Sequence, residues 1–157
     1  MTDLERLQHA VDLAYRHLGR RDRTVAEVRD HLAARGVEPA VVDDAVAELE
    51  TEGYLDDARY ARRFAADHRT LDGWGAQRIE KRLLAAGIAP ELIAPALAER
   101  DTAQELEAAV DVLRRRLTRP VADDRDRDRA LGMLVRKGYE LELAYDAIRA
   151  FEREAAV

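Results

Sequence analysis

The sequence predicts an all-α protein, an elongated tandem array of three three-helix repeats that are similar to helix–turn–helix units. The first observation is a fixed period, because Gly36, Gly87 and Gly138 stand 51 residues apart, twice over. A period of this size indicates one structural unit used three times. Apolar side chains follow each glycine at matching positions without a gap: Val37, Ile88 and Tyr139; Val41, Leu92 and Leu143; Ala45, Ala96 and Ala147; Val46, Leu97 and Ile148.

The second observation is the composition. Of the 157 residues, 47% are hydrophobic, 37% are charged and 5% are aromatic. This bias favours amphipathic helices, and no alternating run of β-branched residues predicts a strand. The chain has no cysteine, which excludes disulfides and thiolate metal sites. Neither a signal sequence nor an apolar run of about 20 residues is found, so we expect a cytoplasmic protein without membrane contact.

The first repeat has clear start and stop signals. Gly19 is expected to end its first helix. Thr24 and Glu27 have the spacing of a capping box, in which each side chain bonds a backbone N–H that the helix leaves free. Gly36 stands where a left-handed residue closes the second helix, and Pro39 suits the first turn of the third. The three repeats are predicted to span 1–53, 54–101 and 102–157.

The second and third repeats follow the same plan with departures. Asp56 or Asp57 is predicted to cap the first helix of the second repeat. Pro95 falls inside that repeat's third helix and predicts a kinked or shortened helix, because proline removes a backbone hydrogen bond. Thr102 and Glu105 are interpreted as a capping box that opens the third repeat.

Charge is distributed unevenly along the chain. The net charge is −6, which gives no global attraction to nucleic acid. The predicted third helix of the first repeat, within 39–53, carries five acids and neither Lys nor Arg, which argues against a DNA-reading helix. Segment 123–129 alternates Asp with Arg. It predicts a solvated helix start whose second half continues into the helix ending at Lys137.

Basic residues concentrate in the first and second helices of the repeats and in the turns between them. Arg78 and Arg82 share one helix face at i, i+4 spacing, and Lys81 adjoins them. Trp74 lies between two glycines. Tryptophan more often packs in a core, but partial exposure at this position would let it anchor an interface. An Arg-rich surface that only solvates the helices explains the same pattern equally well. The candidate partner-binding residues are Arg62, Arg69, Trp74, Arg78, Lys81 and Arg82.

The sequence holds no catalytic or metal-binding motif. Four histidines are present, and no two of them have the i, i+4 spacing of a helical metal pair. Phosphate loops, nucleophile elbows and zinc-protease motifs are also missing. Neighbouring acids such as Asp56 and Asp57 diverge by about 100° on a helix, so they do not converge on one substrate atom. We therefore expect no enzyme activity, no metal and no cofactor.

Across 55–88 the residues become more specific. The strings LDDARYARRFAADHRT (55–70) and GAQRIEKRLLAAGI (75–88) resemble the RecX family of bacterial recombination regulators. The phrases RTVAEVRDHLAARGV before them and LVRKGYELELAYDAI after them are similar to the same family. The resemblance covers nearly the whole chain and is strongest in the middle repeat.

The resemblance implies a cytosolic regulatory protein that binds the RecA recombinase and its filament. Such a protein mostly inhibits the recombinase and ATPase activities, and so damps DNA recombination, repair and the SOS response. It implies no catalytic residue and no small-molecule substrate. Two alternatives stay open. One is a non-specific DNA-binding protein of tandem helix–turn–helix units, with weak contact to single- or double-stranded DNA. The other is a helical-repeat adaptor for another protein.

Overall fold

The protein folds into nine α-helices and no strand, which confirms the all-α prediction. The structure is a computed structural model that describes all residues from 1 to 157. None of the helices combines the length and the apolar character that crossing a membrane requires. In chain order the helices are α1 Asp3–Leu18, α2 Val25–Ala34, α3 Pro39–Thr51, α4 Asp57–Asp72, α5 Ala76–Ala85, α6 Pro90–Ala98, α7 Thr102–Arg116, α8 Asp124–Lys137 and α9 Leu141–Ala155.

The local signals of the first repeat are confirmed. The Thr24 hydroxyl accepts a hydrogen bond from the backbone of Glu27 at 3.1 Å, and the Glu27 carboxylate accepts one from the backbone of Thr24 at 2.9 Å. Gly19 caps the end of α1, and Pro39 occupies the first turn of α3. Gly36 has a φ of 80°, the left-handed conformation that closes α2.

Two start signals were assigned wrongly. The helix α7 is capped by Asp101 with Gln104, in a capping box one residue earlier than the predicted pair Thr102 and Glu105. Glu105 therefore does not cap α7, and its carboxylate instead accepts a hydrogen bond from the backbone of Ala76. The helix α8 begins at Asp124 with Asp123 as its cap, so nearly all of segment 123–129 is helical and not only its second half.

The helix α6 is shorter than its counterparts, as Pro95 predicts. It has 9 residues, against 13 for α3 and 15 for α9. Pro95 lies inside the helix, where it supplies no N–H to the backbone ladder. Asp56 caps α4, because its carboxylate accepts a hydrogen bond from the backbone of Arg59 at 3.0 Å.

The helices form two compact units, and the middle three helices contribute to both. Unit 1 comprises 1–62 and 83–93, and unit 2 comprises 63–82 and 94–157. Each unit has its own apolar core. The core of unit 1 consists of Ala10, Val11, Leu13, Ala14, Val28, Leu32, Val42, Ala45, Val46, Leu49 and Leu55. The core of unit 2 includes Ala109, Val110, Val112, Leu113, Ala130, Leu134, Tyr139, Ala144, Ala147 and Ile148.

One helix junction occurs in both units with the same design. In unit 1 the start of α2 receives a carboxylate, because the backbone N–H of Val25 donates to Asp57 at 2.9 Å. In unit 2 the backbone N–H of Ala76, at the start of α5, donates to the carboxylate of Glu105 at 2.8 Å. Val25 and Ala76 are 51 residues apart. At both places, a carboxylate from the second helix further along the chain compensates the positive end of the helix dipole.

The spaced glycines complete this junction. A Cβ at Gly87 would collide with the Cβ of Ala26 near the start of α2. A Cβ at Gly138 would lie 2.6 Å from the backbone nitrogen of Arg78 near the start of α5. A Cβ at Gly36 would meet nothing within 4 Å. The 51-residue period thus marks a packing contact at the second and third glycines, and only a helix stop at the first.

Candidate functional site

Unit 2 carries a surface cleft lined by cations, which we call the basic cleft. Its volume is about 430 Å³. Four of its seven lining residues are basic and none is acidic. It lies between α5 and the end of α8, and its lining residues are Gln77, Arg78, Lys81, Arg82, Val135, Arg136 and Gly138.

Backbone hydrogen bonds hold the two sides of the basic cleft together. The N–H of Gly75 donates to the carbonyl of Lys137 at 2.8 Å, and the N–H of Gln77 donates to the carbonyl of Gly138 at 2.9 Å. A Cβ at Gly75 would lie 2.6 Å from the carbonyl of Gly138. The two segments approach this closely because both present glycine at the contact.

Glu105 and Tyr139 secure the turn that leads into α5. Glu105 is nearly buried, accepts from Ala76, and forms an ion pair with Arg100 at 2.9 Å. The hydroxyl of Tyr139 donates to the carbonyl of Gly73 at 2.9 Å. Burial is the main cause that raises the pKa of Tyr139 to about 12, so it remains a neutral donor at physiological pH. These bonds fix the direction in which α5 leaves the turn.

Trp74 is buried and forms a platform for the arginines of the basic cleft, so of the two roles that the sequence left open it has the packing role and is not an exposed anchor. It is 7% exposed. His68 stacks on it at 4.1 Å between ring centroids, with 9° between the ring planes. The guanidinium carbon of Arg78 lies 4.2 Å from the Trp74 ring centroid, and that of Arg82 lies 5.3 Å away. Such cation–π contacts contribute about 0.5–1 kcal/mol each at exposed sites.

The cations of the basic cleft differ in how firmly they are held. Arg78 also donates to the carbonyl of Arg136 at 3.2 Å, which fixes its guanidinium against both the ring and the backbone. Lys81 and Arg82 are exposed, and neither forms an ion pair. Their charges are therefore available to an external anion.

A second depression in unit 2 adds three further cations. Lys137 lines it, and its Nζ donates to the carbonyl of Asp72 at 2.6 Å. Burial lowers the pKa of Lys137, and Arg116 is the next cause in the same direction. Arg78 contributes to that lowering as well, so the positive field of the basic cleft extends to Lys137. The depression is lined by Leu71, Asp72, Gly73, Val112, Arg115, Arg116 and Lys137.

The structure brings together four of the six candidate residues: Trp74, Arg78, Lys81 and Arg82. Arg69 is not one of this group. It lines a different cleft, and its Nη2 donates to the carbonyl of Leu97 at 3.0 Å. Arg62 is an exposed residue of unit 1. Partner binding by any of the six residues stays a prediction.

Sequence reasoning missed Arg136 and Gln77 as members of the site. A signal for them was present, because Gly138 follows Arg136 by two residues and repeats the position of Gly87. Knowing that the later glycine packs on the preceding repeat would have placed Arg136 beside Arg78.

Fold and site define a class of protein: an all-α chain of three-helix repeats that presents a cleft of cations on helix surfaces. Two family models match it. One, described as the first three-helix domain of RecX, matches residues 10–49, and the other, the second three-helix domain of RecX, matches residues 56–97. The chain belongs to the RecX family.

Curated relatives agree over most of the chain. The regulatory protein RecX of Trichlorobacter lovleyi is 36% identical over 134 residues, which cover 83% of this chain and 87% of that protein. The regulatory protein RecX of Mycolicibacterium smegmatis is 32% identical over 158 residues, covering 95% and 84%. That of Leptothrix cholodnii is 30% identical over 141 residues, covering 90% and 88%.

Solved structures share the fold at lower identity. The crystal structure of RecX from Lactobacillus salivarius has a TM-score of 0.85 at 18% identity, covering 95% of this chain and 98% of that one. A second crystal structure, of a regulatory protein RecX, has a TM-score of 0.76 at 20% identity, covering 94% and 73%. The arrangement of helices therefore persists where four residues in five differ.

Proposed function

We propose that this chain is a cytoplasmic regulator that binds the RecA recombinase filament and mostly inhibits its recombinase and ATPase activities. In this role it damps recombination and the SOS response. Relatives named regulatory protein RecX support a regulatory and not a catalytic role, and the resemblance to the RecX family supports RecA as the target. The charges of the basic cleft support this surface as the contact, because four of its lining residues are cations and none is a carboxylate.

The basic cleft suits an acidic surface on a large partner. Lys81 and Arg82 are exposed and form no ion pair within the chain, so they can meet a partner's carboxylates without first breaking one. Arg78 is held on Trp74, so less side-chain entropy is lost when it binds. Repeated units that touch successive protomers of a filament would gain apparent affinity through effective concentration.

The test measures RecA-dependent ATP hydrolysis on single-stranded DNA at substoichiometric amounts of this protein. We expect the parent chain to inhibit hydrolysis. Reversing the charges in Arg78→Glu/Arg82→Glu is expected to weaken inhibition by about tenfold or more, because an attractive contact becomes repulsive. Lys81→Glu tests the same cleft at an exposed residue without hydrogen-bond partners.

The matched control is Arg125→Glu/Arg129→Glu. These residues also have i, i+4 spacing, are exposed on α8, and give the same change in net charge. The control is expected to inhibit like the parent. No inhibition by the parent at any ratio would overturn the proposed function. Full inhibition by both cleft variants would remove the basic cleft from it and leave another surface as the contact.

Direct DNA binding is a second candidate, favoured by the same unpaired cations. Neutralised phosphates make log affinity fall linearly with log salt concentration, with a slope of about −0.7 per phosphate for single strands. Tight binding of single-stranded DNA without RecA, lost in the cleft variants, would support this candidate over RecA binding.

A further inference from the structure

A second, separate cleft of unit 2 gathers four arginines, and we call it the arginine pocket. Its volume is about 460 Å³, within the range of small-molecule sites. It is formed by α4, α7, the turns beside them and Tyr139, which lies between α8 and α9. Its lining residues are Arg69, Thr70, Gly73, Arg100, Ala108, Asp111, Arg114, Arg115 and Tyr139.

Two of the four arginines are already neutralised. Arg114 forms ion pairs with three carboxylates, those of Glu107, Asp111 and Glu154. Arg100 forms an ion pair with Glu105 at 2.9 Å. These acids account for the charge of this side of the pocket, so neither arginine needs a ligand.

The other two arginines have no carboxylate partner. Arg115 is exposed, and its Nε donates only to the carbonyl of Asp111 at 3.3 Å. Arg69 is half-buried, and its Nη2 donates to the carbonyl of Leu97 at 3.0 Å. The Nε of Arg69 is enclosed and has no hydrogen-bond partner. A buried unpaired donor of this kind costs about 1–3 kcal/mol.

Arg69 is also held close to another cation. Burial lowers its pKa, and the next cause is repulsion by Arg100. Glu105 and Glu99 act in the opposite direction, and Glu105 already pairs with Arg100. What the surroundings of Arg69 lack is a carboxylate partner of its own, and an anion in the pocket would supply one.

We propose that the arginine pocket binds a small phosphorylated anion, with Arg69 and Arg115 as its cationic ligands. The planar guanidinium group matches two oxygens of a phosphate, and α4 and α7 supply one such group each. The hydroxyl of Thr70, beside Arg69, adds a neutral donor at the rim. The site goes beyond the proposed function and does not depend on it.

The experiment is calorimetric titration of the full chain with pyrophosphate, at an ionic strength held constant with chloride. We expect saturable binding at one site. Arg115→Gln is expected to weaken pyrophosphate binding by about tenfold or more, because a charge-assisted hydrogen bond is lost. The variant is expected to keep its fold, because Arg115 is exposed. Arg69→Gln tests the half-buried ligand, with circular dichroism to verify its fold.

The matched control Arg125→Gln removes an exposed arginine of α8 and is expected to bind within about twofold of the parent.

Three outcomes would overturn the proposal. The first is no binding heat beyond that of the chloride buffer. The second is an equal loss of affinity in Arg115→Gln and Arg125→Gln, which indicates general charge and not a site. The third is binding of a single-stranded oligonucleotide but not of pyrophosphate, which assigns the arginines to nucleic acid. Titration of Arg78→Glu/Arg82→Glu with pyrophosphate keeps this result distinct from the proposed function, because neither residue lines the arginine pocket.

Discussion

At the residue scale, Gly138 carries two separate requirements. Its φ of 102° is left-handed, a conformation that costs other residues about 1–2 kcal/mol. It also lies against Arg78, where a Cβ would collide with the start of α5. Gly36 has the first requirement alone, since its φ is 80° and open space surrounds it. The two glycines therefore separate conformation from packing.

The prediction is that Gly138→Ala destabilises the protein more than Gly36→Ala. Both substitutions lower the free energy of unfolding by about 1–2 kcal/mol, because alanine disfavours the left-handed backbone. Gly138→Ala adds about 1–3 kcal/mol for overpacking. Urea denaturation of the two variants and the parent measures the difference in the free energy of unfolding. Equal losses of the free energy of unfolding would show that the structure accommodates a Cβ beside Arg78 without cost.

At the element scale, helix ends determine how the helices meet. The start of α2 is satisfied by its own Thr24 and by Asp57, and Thr24 also donates to the carbonyl of Ala86 at 2.7 Å. Thr24 is fully buried. The start of α1 has the same capping box at Thr2, but that residue is exposed. An identical local motif thus serves one helix alone in α1 and a junction between helices in α2.

We predict that Thr24→Val costs more stability than Thr2→Val. Losing a cap costs about 1 kcal/mol at either site. Thr24→Val also removes the donor to the half-buried carbonyl of Ala86, which adds about 1 kcal/mol for the lost hydrogen bond. Thr24→Ser keeps both bonds and serves as the control. The free energies of unfolding of these variants in urea provide the measurement, and a Thr24→Val loss no larger than that of Thr2→Val would contradict the role of the second bond.

At the scale of the whole molecule, net charge and local charge point in opposite directions. The chain has a net charge of −6, yet cations gather at the basic cleft and at the depression containing Lys137. Screening acts over a Debye length of about 10 Å at 0.1 M salt, so a partner in contact responds first to the nearest charges. The local cations are therefore expected to control association with an acidic partner.

This makes the salt dependence of RecA inhibition informative. If the basic cleft contacts an acidic surface, inhibition weakens as salt rises, because salt screens attraction. If overall negative charge dominates, inhibition strengthens as salt rises, because salt screens repulsion. ATP hydrolysis measured from about 0.05 to about 0.3 M salt distinguishes the two. Arg78→Glu/Arg82→Glu is expected to flatten the response, and a slope unchanged from the parent would count against the cleft.

Local patterns in the sequence were sufficient for the helices and most of their ends. The capping box at Thr24, the stop at Gly36 and the short helix containing Pro95 follow from interactions within a few residues. The wrong start of α7 shows the limit of such patterns. Asp101 and Thr102 are both good caps, and Glu105 points to the tertiary contact with Ala76 instead of its own helix start.

The sequence by itself determined the all-α repeat fold and the concentration of cations around Arg78, because helical periodicity, capping and composition act locally. Only the tertiary structure decided that Trp74 is buried beneath Arg78, that Arg136 joins the basic cleft and that Arg69 belongs to another pocket. These placements depend on close contact between segments some 60 residues apart, such as that of Gly75 with Gly138. Periodicity shows that such a contact repeats, but the side chains it brings together depend on the packing of the backbones.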